Sequence, residues 1–517
     1  METIFKNKRL VFFFLLAIML IHCPLLKSQV NSTDSALQKQ FDSFYQKIHQ
    51  DYGNFRKEND SIFLKFLDSS WKEFTAIRNQ IPARPKPVNP PVYISPEQSE
   101  PKSDTVSPGK MGKENKEPES DLKNPDAVND SVNEELKLNN EEKSFEKYQN
   151  PAPEPEAISK TSSTAEIDFY GTNFTILQPG PGLPVLASVT KESIAGYFSA
   201  ASASDLLNNA AVTLKSEAAG RRLNDWGLAN LMMKAAQQMY PQHNEQVMFT
   251  WFALLRAGFN VKLGYDKQNV FLLLPSDEIL YETSYTVNGR PYYYLNFGPG
   301  QPQPETLRIH QADYPHSVDG LSFKISQTPE FLDMNTKKSI SSSPVLDMNL
   351  NKNLIDFYSS YPQCELKVVF SAPLSGKTQQ QLDAFFIPVL KDKTDDERVA
   401  YLLEFVQKSI RYQTDGQQFG YEKYLFADET LYYPAADCED RAVFLAKLIE
   451  RYTWCKVIGL SYPNHVSLAV NLKTNPGGKY IEHQNLKYYH CDPTYIGATC
   501  GICMPEFQNI TPEIIEF

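Results

Sequence analysis

Apolar residues recur at spacings of three and four from Leu37 through Phe41, Phe44, Ile48, Tyr52, Phe55, Ile62 and Phe66. That spacing predicts one long helix over roughly 35–79, weakest at Gly53 and at the Asn59-Asp60 pair. The expectation is a helical hairpin or coiled coil, spanning 29–80 as a unit, that self-associates or binds a partner. Ahead of it, Lys6, Lys8 and Arg9 precede a twelve-residue apolar run, Leu10 to Ile21, which Pro24 breaks. This is the length of a signal-peptide core and short of the roughly 20 residues of a membrane span. Residues 1–28 therefore read as an export signal, with a retained signal anchor as the alternative. Cys23 is a candidate lipid anchor, although His22 precedes it in place of a small residue.

The pattern then disappears. Residues 81–160 hold 13 of the 35 prolines and three aromatics, Tyr93, Phe145 and Tyr148. Such a stretch cannot bury enough apolar surface to offset the entropy of ordering it, so 81–162 is expected to be a disordered spacer. From about Ser163 the pattern returns. Residues 190–260 carry Ala/Leu/Met periodicity that predicts helices. The segments VKLGY, NVFLLLP and RPYYYLNF predict strands over 261–300, within a unit spanning 163–304. Residues 305–384 read as a mixed connecting region with strand-like LSFKI and CELKVVF. Val399, Leu402, Leu403, Val406 and Ile410 share one face of a helix predicted over 395–412, which opens a last unit spanning 385–517. The fold class that follows is α+β.

Composition narrows the function. A net charge of −11 disfavours nucleic acid, which needs a basic face. Seven cysteines in 517 residues are too few for a disulfide scaffold. No phosphate loop or nucleotide fingerprint stands between a strand and a helix, and GLSYP lacks the second glycine of a hydrolase elbow.

The candidate chemistry lies near the C-terminus. After Cys438, the residues Ala442, Val443, Leu445, Ala446, Leu448 and Ile449 follow helical spacing, so the sulfur sits at a helix start with Asp437 as a candidate N-cap. The helix dipole favours thiolate there, while Asp437, Glu439 and Asp440 oppose it. His465 opens a predicted strand, HVSLAV, and Asp492 ends another, YYHCD, each 27 residues after the group before it. A helix start and two neighbouring strands can bring Cys438, His465 and Asp492 together as nucleophile, acid/base and orienting carboxylate. The bland alternatives are a core cysteine, a satisfied strand histidine and a turn aspartate. His490, Cys491, Cys500 and Cys503 cluster in sequence, but no second Cys pair completes a zinc motif. A disulfide among Cys455, Cys491, Cys500 and Cys503 suits an exported chain, and Cys364 reads as an unpaired buried strand residue.

The segments DCEDRAVFLAKLI, NHVSLAV and YYHCDPTY, in that order, resemble the transglutaminase-like superfamily of papain-like thiol enzymes over roughly 385–505. The resemblance implies a helix packed on an antiparallel sheet, a Cys438–His465–Asp492 triad, and no metal or organic cofactor. Ala436 stands where family members often have glycine. A degenerate copy precedes it: VKLGY aligns with KVIGL, QNVFLLL with NHVSLAV and RPYYYLNF with LKYYHCDP. Asn269 then falls on His465, Asn296 on Asp492 and Glu245 near Cys438. The stretch 413–437 has no counterpart in the first copy and is expected to supply substrate-binding loops.

Two classes of function follow. One is an exported thiol enzyme that hydrolyses or transfers peptide or carboxamide groups of cell-wall peptides or proteins through a thioester. It would touch a membrane only through its signal or a lipid anchor. The other is a scaffold or binding protein with an inactive fold of the same kind.

Overall fold

A computed structural model describes residues 35–67, 73–84, 87, 93, 164–177 and 182–517, except 299, 318 and 319. The expected signal segment with Cys23 and nearly all of the expected spacer lie outside the described residues. No helix among those described is long and apolar enough to cross a membrane.

The chain is mixed helix and antiparallel sheet, the α+β class. Helix α1 runs Ser35–Lys65, and Glu73–Ile77 forms strand β1. The helix predicted to 79 therefore ends early. The last stretch is a strand because Glu73–Ile77 pairs antiparallel with Thr306–His310, a partner invisible to local periodicity. The buried face of α1 also differs from the predicted stripe. Tyr52, Phe55 and Ile62 are exposed, whereas Asn59, Asp60 and Phe63 are buried, followed by Leu67. Phe63 packs among Phe198, Trp251, His310 and Tyr314, and Asp60 forms a bidentate ion pair with Arg256 at 2.6 and 2.8 Å. What looked like a weak point is the anchor. Arg84 and Tyr93, assigned to the spacer, are also engaged: Arg84 bonds Gln363 and the Glu422 carbonyl, and the Tyr93 N–H bonds the Ile496 carbonyl.

After the hairpin β2 (Thr164–Phe169) and β3 (Thr172–Leu177) come α2 (Lys191–Ala203), α3 (Asp205–Gly220), α4 (Asp225–Met239) and α5 (His243–Ala257). Strands β4 (Lys262–Tyr265), β5 (Val270–Pro275), β6 (Ser284–Val287), β7 (Arg290–Tyr294) and β8 (Thr306–His310) follow. Next are the hairpin β9 (Asn335–Ile340) and β10 (Leu346–Asn351), then α6 (Lys352–Ser359), α7 (Leu366–Ser371) and α8 (Gly376–Leu390). The expected strand CELKVVF is mostly α7. Leu366, Val368, Val369 and Phe370 bury together on a helical turn that packs against the Cys438 helix. Cys364 is buried at a single bridge to Leu280, and LSFKI makes only a bridge at Leu321.

The C-terminal part holds α9 (Asp395–Ser409), the short α10 (Asp415–Gln418) and α11 (Ala427–Tyr432), then α12 (Cys438–Tyr452). Strands β11 (Val457–Tyr462), β12 (His465–Val470), β13 (Tyr480–His483), β14 (Leu486–Cys491) and β15 (Glu513–Ile515) complete it. A Thr394–Glu397 capping box starts α9 where the sequence pattern predicts.

Among the described residues the first large sheet has the order β1-β8-β4-β5-β7-β6 and the second β15-β11-β12-β14-β13. From β8 and β15 onward the two orders coincide, every pair antiparallel. Helix α5 packs on β5 as α12 packs on β12, and α4 packs on α5 as α9 on α12. The first sheet also draws in β1 and β8, which lie outside 163–304. In one unit residues 240–242 join the helix pair; in the other 410–437 do, carrying α10 and α11.

Candidate active site

The N-terminus of α12 and one end of β12 meet at Cys438. The Val466 N–H donates to Cys438 Sγ at 3.4 Å, so the sulfur lies against the strand at the residue after His465. The thiol itself donates to Glu439 Oε2 at 3.0 Å. His465 Nε2 and Asp492 Oδ2 are 2.8 Å apart. A carboxylate only accepts, so Nε2 carries the proton and Nδ1 is the nitrogen left to act as a base. Asp492 Oδ1 accepts from the Thr494 and Tyr495 N–H groups at 2.8 and 3.2 Å. Burial pushes the Asp492 carboxyl up, but His465, His490 and the Thr494 N–H together hold it below the usual carboxylate range. The His465 ring stacks on Phe507, with centroids 5.2 Å apart and planes at 7°.

Cys438, His465 and Asp492 are 1%, 4% and 1% exposed. Of the two opposing influences expected at Cys438, the carboxylates outweigh the helix dipole. Burial, then Glu439 and Asp437, push the Cys438 thiol well up, and the Val466 N–H offsets only part of this. Helix-dipole stabilisation is worth about 0.3–1 kcal/mol in typical settings, too little against desolvation beside two carboxylates. Asp437 does occupy the N-cap position, yet its side chain makes no capping hydrogen bond.

Sequence reasoning missed two residues that frame this site. Gln407 on α9 donates Nε2 to the carbonyls of Asp492, Tyr495 and Ala498, each at 3.0 Å, while its Oε1 accepts from the Gly497 N–H at 3.1 Å. One amide thus fixes the loop that follows Asp492. Arg441 is fully buried, and Nη2 donates to the carbonyls of Val406, Gln407 and Ile410 at the end of α9. Burial brings its guanidinium down to about 10, while Asp492, Tyr412, Cys438 and Asp437 favour its charge.

The 413–437 stretch brings a further feature. Carboxylate oxygens of Asp415, Glu422, Asp437 and Glu439 lie within 4.8 Å of one another. Apart from one another's carboxyl groups, no donor reaches either oxygen of Asp437, Oε1 of Glu439 or Oε2 of Glu422. At about 4 Å, each ionised pair would repel by about 4 kcal/mol at an effective dielectric constant of 20. Burial, Asp440 and other neighbouring carboxylates accordingly raise Glu439 to about 8, and burial foremost raises Asp415 to about 7. This oxygen-only set has the donor chemistry of a hard divalent cation site. His490, Cys491, Cys500 and Cys503 do not converge as a ligand set among the described residues. His490 instead contacts Ser467 Oγ at 3.1 Å. Cys364, Cys438, Cys455, Cys491, Cys500 and Cys503 are all free thiols, so none of the disulfides that the sequence allowed is present.

The first unit places different residues at the equivalent points. The Val270 N–H donates to Asn244 Oδ1 at 3.0 Å, as the Val466 N–H does to Cys438 Sγ. Asn244, not Glu245, therefore stands where the sulfur stands. The one-residue shift arises because the helices and strands align with slightly different offsets. Asn269 is half-buried and Asn296 is exposed.

No protein-family model, curated protein or solved structure matches the chain.

Proposed function

We propose that residues 385–517 form a transglutaminase-like thiol enzyme of an exported protein, acting on peptide or carboxamide carbonyls through Cys438. One observation supports the reading: the Val466 N–H, next in the chain to His465, bonds the helix-start sulfur, and Asp492 orients that histidine, while the thiol at rest donates to Glu439. In this mechanism Cys438 Sγ attacks the carbonyl carbon and its proton passes to His465 Nδ1. The imidazolium returns that proton to the departing amine, leaving a thioester. Water, activated by the same nitrogen, then cleaves the thioester; an amine in its place gives transfer. Asp492 keeps the Nε2 proton in place throughout, and the Cys438 N–H, in the first turn of α12, is a donor for the oxyanion. The first unit, with Asn244, Asn269 and Asn296, is a duplicate without a nucleophile.

A second reading has its own support. The near-complete burial of Cys438 and the upward push on its thiol favour a scaffold whose triad is a remnant. Acylation separates the two. The full chain is mixed with p-nitrophenyl acetate and its intact mass recorded. A single acetyl on Cys438, absent in Cys438→Ala and His465→Ala, supports the enzyme. A wild-type chain acylated no faster than the His465→Ala chain refutes it.

A further inference from the structure

Cys491 is the last residue of β14 and directly precedes Asp492, while Cys500 lies at the far end of the loop that Gln407 clamps. The Gly501 N–H donates to the His490 carbonyl at 2.7 Å, so the peptide joining Cys500 to Gly501 is bonded to the peptide joining His490 to Cys491. A disulfide spans about 4.4–6.8 Å between Cα atoms, the scale on which two backbones joined by one hydrogen bond stand apart. The Cys500 thiol, together with burial, pushes the Cys491 thiol well up. The backbone around Cys500 is also fixed. A Cβ on Gly478 would meet Gly501 O at 2.2 Å, and one on Gly501 would meet Gly477 O at 2.3 Å, so only glycines allow this close approach. Cys500 is partly exposed and Cys491 fully buried, so an incoming disulfide reaches Cys500 first.

We propose that Cys491 and Cys500 are a redox pair, closing into a disulfide that ties the end of β14 to the end of the loop carrying Asp492. The donor of oxidising equivalents is a small-molecule or protein disulfide. Cys500 thiolate attacks it, forming a mixed disulfide and releasing one thiolate. Cys491 then attacks the Cys500 sulfur, the Cys491–Cys500 bond forms and the second thiolate leaves. Two electrons pass to the donor disulfide and two protons to solvent or the released thiolates. The bond completes a frame already made by Gln407 on the inside of the loop and by Gly477, Gly478 and Gly501 at its edge. Cys455 and Cys503 stay outside the pair. The inference is independent of turnover at Cys438.

The test uses the full chain, in wild-type and Cys438→Ala forms, equilibrated with mixtures of reduced and oxidised glutathione, acid-quenched and alkylated. Peptide mass spectrometry should find Cys491 linked to Cys500 as the first bond formed. Because the closed loop is short, oxidation should raise the melting temperature by about 2–5 °C. Cys500→Ser should abolish both the link and the rise, and Cys503→Ser should abolish neither. Two free thiols under fully oxidising glutathione, or Cys455 as the partner of Cys491, would overturn the proposal. If Cys500→Ser does not fold, the wild-type peptide map decides alone. If the pair closes in a chain that p-nitrophenyl acetate does not acylate, the redox pair stands and the enzyme reading falls.

Discussion

Replacing Asp492 by Asn probes the site at its most constrained atom. The carboxylate accepts on both sides: from His465 Nε2 at 2.8 Å on Oδ2, and from the Thr494 and Tyr495 N–H groups on Oδ1. An amide of the same shape has one accepting and one donating end. With its NH₂ turned toward Thr494 and Tyr495, two buried N–H groups would face a donor, at about 1–3 kcal/mol each. The amide therefore settles with its NH₂ toward His465. Nε2 must then accept, and the ring proton moves to Nδ1, where it blocks uptake of the thiol proton. In a serine triad the equivalent tautomer error costs about 10⁴ in rate, and we expect about 10³–10⁴ here. Folding should lose only about 1–2 kcal/mol, since a charged acceptor becomes a neutral one in an otherwise intact network. Stopped-flow acylation by p-nitrophenyl acetate measures the first effect and urea unfolding the second. An Asp492→Asn chain that folds and acylates within about threefold of wild type would refute the tautomer argument.

Gln407→Leu removes a side chain whose two amide protons are shared among three carbonyls and whose oxygen accepts one N–H, so stability should fall by about 3 kcal/mol in urea unfolding, with the loop after Asp492 first to exchange its amides. Arg256→Met strands the buried Asp60 carboxylate, and the loss of about 3–5 kcal/mol should appear as faster protease cleavage within α1. His490 is held neutral by burial, down to about 4 from 6.5. A depressed base binds fewer protons in the folded state, so its contribution is complete above pH 6.5 and is lost as pH falls toward 4, by about 3 kcal/mol in all. His490→Gln should flatten unfolding free energy over that window, and an unchanged slope would count against the assignment.

Much of the local structure was legible in the sequence because it is written in local signals. The shared face of Val399, Leu402, Leu403, Val406 and Ile410 marks α9, the change of pattern at Cys438 marks the start of α12, a continuous apolar run marks β5 and partial alternation marks β12. The likeness of the two units was visible in the hairpins β4–β5, β6–β7, β11–β12 and β13–β14, whereas the pairings β8–β4, β5–β7, β11–β15 and β12–β14 join strands farther apart in sequence. What escaped depends on distant partners. Glu73–Ile77 is a strand only because β8 lies beside it, and Asp60 is buried only because Arg256 waits on α5. Val368 and Val369 favour strands in isolation but are overruled by packing against α12. At the candidate site, sequence order suggested which residues to test, but not their burial. Gln407 looked like any polar residue on a helix, and the approach of Asp415 and Glu422 to Asp437 needs the folded 413–437 stretch.

The mode of attachment of residues 35–93 has a consequence for a cut chain. β1 is bonded along its length to β8, Arg84 reaches Gln363 and Glu422, and Tyr93 bonds Ile496 beside the Asp492 loop. Severing the backbone anywhere between 94 and 163 would release no fragment; the two polypeptides would remain interlocked and migrate as one particle until denatured. The amino-terminal piece would then act as a non-covalent subunit of the remainder, touching both sheets.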